Sequence, residues 1–290
     1  MKEAIAILGG NGVYARHLIP RLIEAGHSIR AIVRRPGAAG IARACGASVG
    51  IADIFDTPSM TAAFQGCSIA INLATSLPGP SGRGDFEAND RLRASGTPNF
   101  VEACRNAGIT RVIQQSIGLA GASGDATWSD EDSTYRPATE TTASKAVAAS
   151  LAMEETIRSS GLDWIILRGG LFYGPGTGFD DAWFERAREG KLRLPGDGTD
   201  YVSLIHISDM AAATVSAVNK WPSNSTLIVC DDEPAQWRDV FGFIASCVGA
   251  SAPEPGGRVA FPSFRLRNGR AAAALDWRPS YRTYREGLVR

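Results

Sequence analysis

Seven residues near the start of the chain, Gly9-Gly10-Asn11-Gly12-Val13-Tyr14-Ala15, have the make-up of a phosphate-binding turn. They follow the apolar run Ala4-Ile5-Ala6-Ile7-Leu8 and lead into a helical stretch that ends at Ala25. A glycine turn between a strand and a helix aims backbone N–H groups and the positive helix end at a pyrophosphate. Gly9 permits the tight turn, Gly12 lets the backbone approach the phosphates, and Ala15 packs helix on strand. Gly10, Asn11, Val13 and Tyr14 complete the cradle. The second strand ends in Arg34-Arg35 with no acid nearby. An acid there would bond a ribose 2′-hydroxyl, whereas paired guanidiniums suit a 2′-phosphate through bidentate bonds and stacking over adenine. The pattern selects NADP, with NAD second; the alternative is two solvated arginines at a strand end. Asp53 can accept from an adenine amino group or cap the helix near Pro58. Leu73, Ala74 and Thr75 end the fourth strand, where the backbone would pass beneath the cofactor.

These residues need a scaffold that brings strand ends together. Short apolar runs predict strands over 4–8, 28–33, 47–50, 68–73, 111–116 and 163–167. Between them the pattern predicts helices over 12–25, 38–45, 58–65, 88–107 and 139–160. Apolar strands alternating with helices imply an α/β fold: a doubly wound parallel sheet with ligands at the carboxyl ends of its strands. After Arg168 the composition changes, with glycine and proline clusters, a strand over 202–206, a helix over 208–219, a strand over 226–230 and a helix over 236–248. Residues 1–169 read as the nucleotide domain and 170–290 as a smaller C-terminal substrate lobe, with 202–220 returning to the first domain. Polar loops over 76–86 and 120–135 follow strands and should rim the site.

Composition removes several function classes. The 290 residues hold 30 basic and 30 acidic side chains, so there is no net field for nucleic acid or an anionic membrane. Five scattered cysteines (Cys45, Cys67, Cys104, Cys230 and Cys247) form no CxxC pair, which fits neither a zinc site nor a disulfide framework. His17 and His27 have no partner spacing, so no metal site is expected. The chain enters a strand directly after Met1-Lys2-Glu3 and has no membrane-length apolar run, so the expected location is cytoplasmic.

The chain resembles the extended short-chain dehydrogenase/reductase superfamily, in its NAD(P)-dependent epimerase/dehydratase branch, nearly end to end. The resemblance rests on the glycine turn, Ala52-Asp53-Ile54-Phe55-Asp56, Ser95-Gly96-Thr97-Pro98-Asn99 and Arg111 to Gly121. It continues through Arg168 to Pro175, Leu194 to Gly198, Ile205-His206-Ile207-Ser208-Asp209 and the tail from Leu275 to Leu288. It implies a Rossmann fold and places Ser116 where the family polarises substrate and Lys145 where it holds the nicotinamide ribose. The proton-exchanging Tyr position holds Thr141, whose hydroxyl does not ionise near neutral pH. Tyr135 or Tyr173 could supply a proton instead. The reaction could also need no strong acid, as when hydride adds to an electrophilic C=C or iminium. The expected function is an NADP-dependent reductase or dehydrogenase for a small carbonyl, alcohol or activated alkene. The alternatives are a non-catalytic NADP-binding regulator and a nucleotide-sugar epimerase or dehydratase that leans on the same missing Tyr. A small-molecule substrate is the expected partner, and the long helices allow a homodimer. Arg168 reads as an ion-pair or substrate-contact residue, His206 as a hydrogen-bonded structural histidine, and Asp209 as a helix cap.

Overall fold

The computed structural model describes residues 3–77, 84–137 and 139–289. The loop expected over 76–86 therefore lies partly outside the described residues. The nucleotide half runs β1 (Ala4–Leu8), α1 (Val13–Glu24), β2 (Ser28–Val33), α2 (Gly40–Ala44), β3 (Ser48–Ile51), α3 (Thr57–Phe64) and β4 (Ile69–Asn72). Then come α4 (Phe86–Arg91), α5 (Thr97–Asn106), β5 (Arg111–Ile117), β6 (Trp128–Ser129), α6 (Thr142–Arg158) and β7 (Asp163–Gly169). The remainder holds β8 (Leu171–Tyr173), α7 (Phe179–Arg188), β9 (Arg193–Pro195), β10 (Tyr201–Val202), β11 (Leu204–His206), α8 (Ile207–Lys220), β12 (Ser225–Val229) and α9 (Trp237–Cys247).

Seven strands form one parallel sheet in the order β12-β7-β5-β4-β1-β2-β3. Ile5, Ala6, Ile7, Ile69, Ala70 and Ile71 have no solvent exposure. Strands that are apolar on both faces need helices on both faces, and a parallel sheet with crossover helices supplies them. One core cluster joins α1 and α8 to the sheet and a second joins α3 and α5 to the opposite face. The order reverses between β1 and β4, which opens the crevice for a dinucleotide. A third cluster, built largely from residue 173 onward, packs Tyr173, Trp183, Phe184, Trp237 and Phe241.

Three departures bear on function. The strand grouped by composition with the C-terminal lobe is β12, whose apolar Leu227-Ile228-Val229 instead extends the main sheet beside β7. The helix expected over 88–107 is broken by a π turn at Leu92–Gly96 between α4 and α5. The helix expected to begin at 139 begins at Thr142, because Thr141 caps it.

Candidate functional site

The glycine turn joins β1 to α1 under tight steric limits. Gly9 has φ +80°, and a Cβ there would lie 2.9 Å from the carbonyl carbon and oxygen of Leu73. At Gly10 a Cβ would come within 2.7 Å of the Ala31 side chain. Gly12 opens α1 with no side-chain cap, so the first-turn N–H groups face the crevice without intrahelical acceptors. A pyrophosphate satisfies such a bare helix start, and the turn fits the cofactor that the sequence implies. Asn11 and Gly12 are exposed and Val13 half-buried. Tyr14 offers only its backbone: its ring is buried edge-on to Phe172, and its hydroxyl bonds Thr214 and the Met210 carbonyl on α8.

The residues expected at an adenosine end lie beyond β2 and β3. Arg34 and Arg35 are exposed beyond β2, and the Arg35 carbonyl accepts the Ala38 N–H at 3.0 Å, which leaves the guanidinium groups facing solvent. Asp53 does not cap α3; Asp56 does, accepting the Ser59 N–H at 3.3 Å. The Asp53 carboxylate accepts the Phe55 N–H at 3.0 Å through Oδ1, which fixes its position at the end of β3. Asn72 ties the chain beyond β4, accepting the Ala74 N–H at 3.1 Å and donating to Gln114 at 2.9 Å. Leu73 is buried, Ala74 half-buried and Thr75 exposed toward the crevice.

The four expected catalytic residues have different surroundings. Thr141 and Lys145 share the start of α6. Thr141 Oγ1 accepts the Ser144 N–H at 3.1 Å, and Ser144 Oγ accepts the Thr141 N–H at 2.7 Å. Thr141 is therefore an exposed residue whose side chain serves as a helix cap. Lys145 extends from the first turn into solvent and pairs with Glu140 at 2.7 Å. That contact raises the ammonium pKa, so Lys145 stays charged.

Ser116 is not available to polarise a substrate. Its hydroxyl donates to Glu154 Oε1 at 2.7 Å in the interior. Arg168 bonds the same carboxylate at 2.9 and 2.8 Å and Arg158 at 2.7 Å. Burial works against ionising Glu154, but Arg168, Ser116 and Arg158 outweigh it and hold the carboxyl below its ordinary range. Arg168 thus has the ion-pair role. The sequence carries no local sign of Glu154, since the network joins a helix to two strand ends.

Tyr173 is likewise removed from the crevice. Its ring is fully buried beside His206, with centroids 5.2 Å apart, and Gly287 leaves room for it: a Cβ there would come within 2.5 Å. Burial first, and the adjacent Asp231 next, push its phenol pKa far up, and its hydroxyl has no hydrogen-bond partner within the usual limits. Tyr135 is half-buried against Gly124, with its N–H bonded to the Ala120 carbonyl. His206, rather than Asp209, caps α8 by accepting the Ser208 N–H; Asp209 accepts the Tyr281 N–H at 2.8 Å.

Sequence reasoning missed Arg93. It lies on the π turn, is 7% exposed, and lines a polar cavity below the ends of β4 and β5. Its signal was present: positions 93, 97, 100 and 104 share a helical stripe, and the last three are Thr97, Phe100 and Cys104, all wholly buried. A charge on that stripe had to face inward.

Residues 9–220 match the model of a family described as NAD(P)H-binding. The chain is 31% identical to a 3-diazoavenalumate denitrifying reductase from a Streptomyces species, over 99% of both chains. It is 24% identical to a ceramide reductase from Caulobacter vibrioides, over 99% of this chain and 89% of that one. The fold matches a UDP-glucose 4-epimerase from Thermotoga maritima, with a TM-score of 0.80 and 19% identity over 98% of this chain and 96% of that one. The chain belongs to the NAD(P)H-binding family and is an NAD(P)-dependent oxidoreductase.

Proposed function

We propose that the protein is an NADP-dependent reductase for substrates that accept hydride without a proton from an enzyme phenol. The observation that carries this reading is Thr141: the position of the family's phenol holds a helix-capping threonine, and Tyr173 is sealed in the core. A ketone needs a proton as its oxygen gains charge, and an aliphatic hydroxyl is a poor donor. An arenediazonium or an activated alkene has no such need at the hydride step. The Streptomyces relative is named for a diazo substrate and for denitrification. For that class, hydride adds to the terminal nitrogen and the neutral diazene loses dinitrogen. The diazene's N–H and C–N bonds break as dinitrogen leaves, and its proton, given up at nitrogen, is replaced by one at the ring carbon, so atoms and charge balance with no net acid consumed.

The cofactor supplies the hydride when bound. Backbone groups of Gly9 to Tyr14 hold the pyrophosphate, Arg34 and Arg35 hold the 2′-phosphate, and Asp53 meets the adenine. Leu73, Ala74 and Thr75 run beneath the cofactor. Lys145 exchanges Glu140 for the nicotinamide ribose. Thr141 keeps the N-terminus of α6 in place, so that Lys145 projects at a fixed height. With no membrane-spanning helix among the described residues and all five cysteines free, the reading places the enzyme in the reducing cytoplasm.

The test is NADPH consumption with a panel of arenediazonium acids, enones and simple ketones. Diazonium acids or enones should turn over faster than ketones, NADPH should outperform NADH, and Lys145→Ala should abolish turnover. A strict preference for ketones would refute the reading of Thr141.

A further inference from the structure

The polar cavity below β4 and β5 is lined by Asn72, Thr75, Arg93, Thr97, Gln114 and Ser116, among others. Its wall includes the π turn Leu92–Gly96, a distortion of the helix that is common at functional sites. Arg93 points inward with few partners. Its Nη1 donates to the Ala146 carbonyl at 3.3 Å and stands 3.9 Å from Asp90 Oδ1. A guanidinium has five N–H donors, and a buried one this poorly paired is costly. Burial lowers its pKa to about 10, against the pull of Asp90.

The neighbours do not complete it. Asn72 and Gln114 are engaged with each other, with the Ala74 N–H and with the Gln115 carbonyl. Thr97 has no exposure and its hydroxyl has no partner. Asp90 is a weak counter-ion, because burial raises its pKa and its Oδ1 makes no hydrogen bond. Lys145 acts on Asp90 from α6, and Lys145 itself pairs with Glu140 and feels Glu87. The cofactor's phosphates are accounted for elsewhere, at β1 and β2, two positions and more along the sheet from β5.

We propose that Arg93 and Thr97 form the anion end of the substrate site and hold the carboxylate of an organic acid. The reducible group of that acid points out past Thr75 toward the nicotinamide. The cavity holds about 10 Å³, room for one oxygen-sized group, so it takes a single carboxylate oxygen and leaves the rest of the ligand outside. Arg93 offers that oxygen a charge-assisted N–H bond and Thr97 its hydroxyl. The proposal rests on the reductase reading, since it names the class of substrate for the same crevice.

The test is calorimetric titration of 4-hydroxycinnamate and its methyl ester into the full-length protein saturated with NADP+. Wild type should bind the acid roughly tenfold or more tightly than the ester, the range expected for charge-assisted bonds. Arg93→Gln should erase that preference, Arg93→Lys should restore part of it, and the NADP+ affinity should be unchanged in both. If Arg93→Gln fails to fold, Thr97→Val should weaken only the acid, by about threefold to tenfold. Equal binding of acid and ester, no binding of either, undiminished acid binding by Arg93→Gln, or loss of NADP+ binding would overturn the proposal. For Thr97→Val, equal weakening of acid and ester, or none, would do the same. NADPH oxidation by wild type reports on the reductase reading, and the acid-over-ester preference reports on Arg93, so either can fail alone.

Discussion

Replacing Arg168 with Met should destabilise the protein more than any surface change, and the reason lies in Glu154. That carboxylate has no solvent exposure and lies between Ser116, Arg158 and Arg168. Arg168 supplies two of its charge-assisted bonds, through Nε and Nη2, and its Nη1 also reaches the Glu131 carbonyl at 3.2 Å. Met fills similar volume but leaves a buried anion with one half-exposed cation, Arg158. Breaking a buried pair from one side typically costs about 3–5 kcal/mol. Urea unfolding monitored by far-UV circular dichroism would show this as a lower midpoint. The double variant Glu154→Leu with Arg168→Met removes both charges and should recover most of the loss. The pH dependence has a definite sign. Glu154 has a folded pKa below its unfolded value, so its contribution is present above the unfolded value, about 4.3, and fades as pH falls through the folded one. The gap between wild type and Glu154→Gln should therefore narrow in acid. A loss below about 1 kcal/mol for Arg168→Met, or a double variant no better than the single, would refute this account of the network.

Tyr173→Phe should leave turnover within about twofold, since the side chain is wholly buried beside Asp231; a large loss of kcat would return Tyr173 to the chemistry. Arg34→Ala should weaken NADPH by roughly tenfold or more while sparing NADH, measured by fluorescence titration. Asp231→Asn should gain stability over wild type as pH rises. Burial pushes the Asp231 pKa well up, so the neutral acid is the favoured folded form, and stability is lost upward from the ordinary carboxylate range; parallel stability curves for the two proteins would contradict it.

The sheet was legible because its strands are short, wholly apolar and separated by helices, which leaves few ways to bury them. The glycine turn was legible because Gly9 and Gly10 face backbone and Cβ atoms that admit no side chain. β12 was assigned to the wrong lobe because a three-residue apolar core, Leu227 to Val229, fits either a sheet edge or a separate lobe. Two of the expected catalytic side chains are engaged in the interior. Ser116 and Tyr173 occupy the ends of strands that face the crevice, but strand alternation and long-range partners turn both side chains inward. Ser116 meets Glu154 from thirty-eight residues away, and Tyr173 meets Gly287 from the tail. The π turn was invisible because no residue type in Leu92–Gly96 distinguishes it from an ordinary helical turn.

The central claim is that this enzyme delivers hydride from NADPH to an acceptor that needs no phenolic acid. The most direct measurement is to follow NADPH consumed and dinitrogen released together from an arenediazonium carboxylate, with wild type and Lys145→Ala run side by side. The account predicts one NADPH per dinitrogen at a rate that depends on Lys145. Tight NADPH binding with no oxidation above the Lys145→Ala background would contradict it.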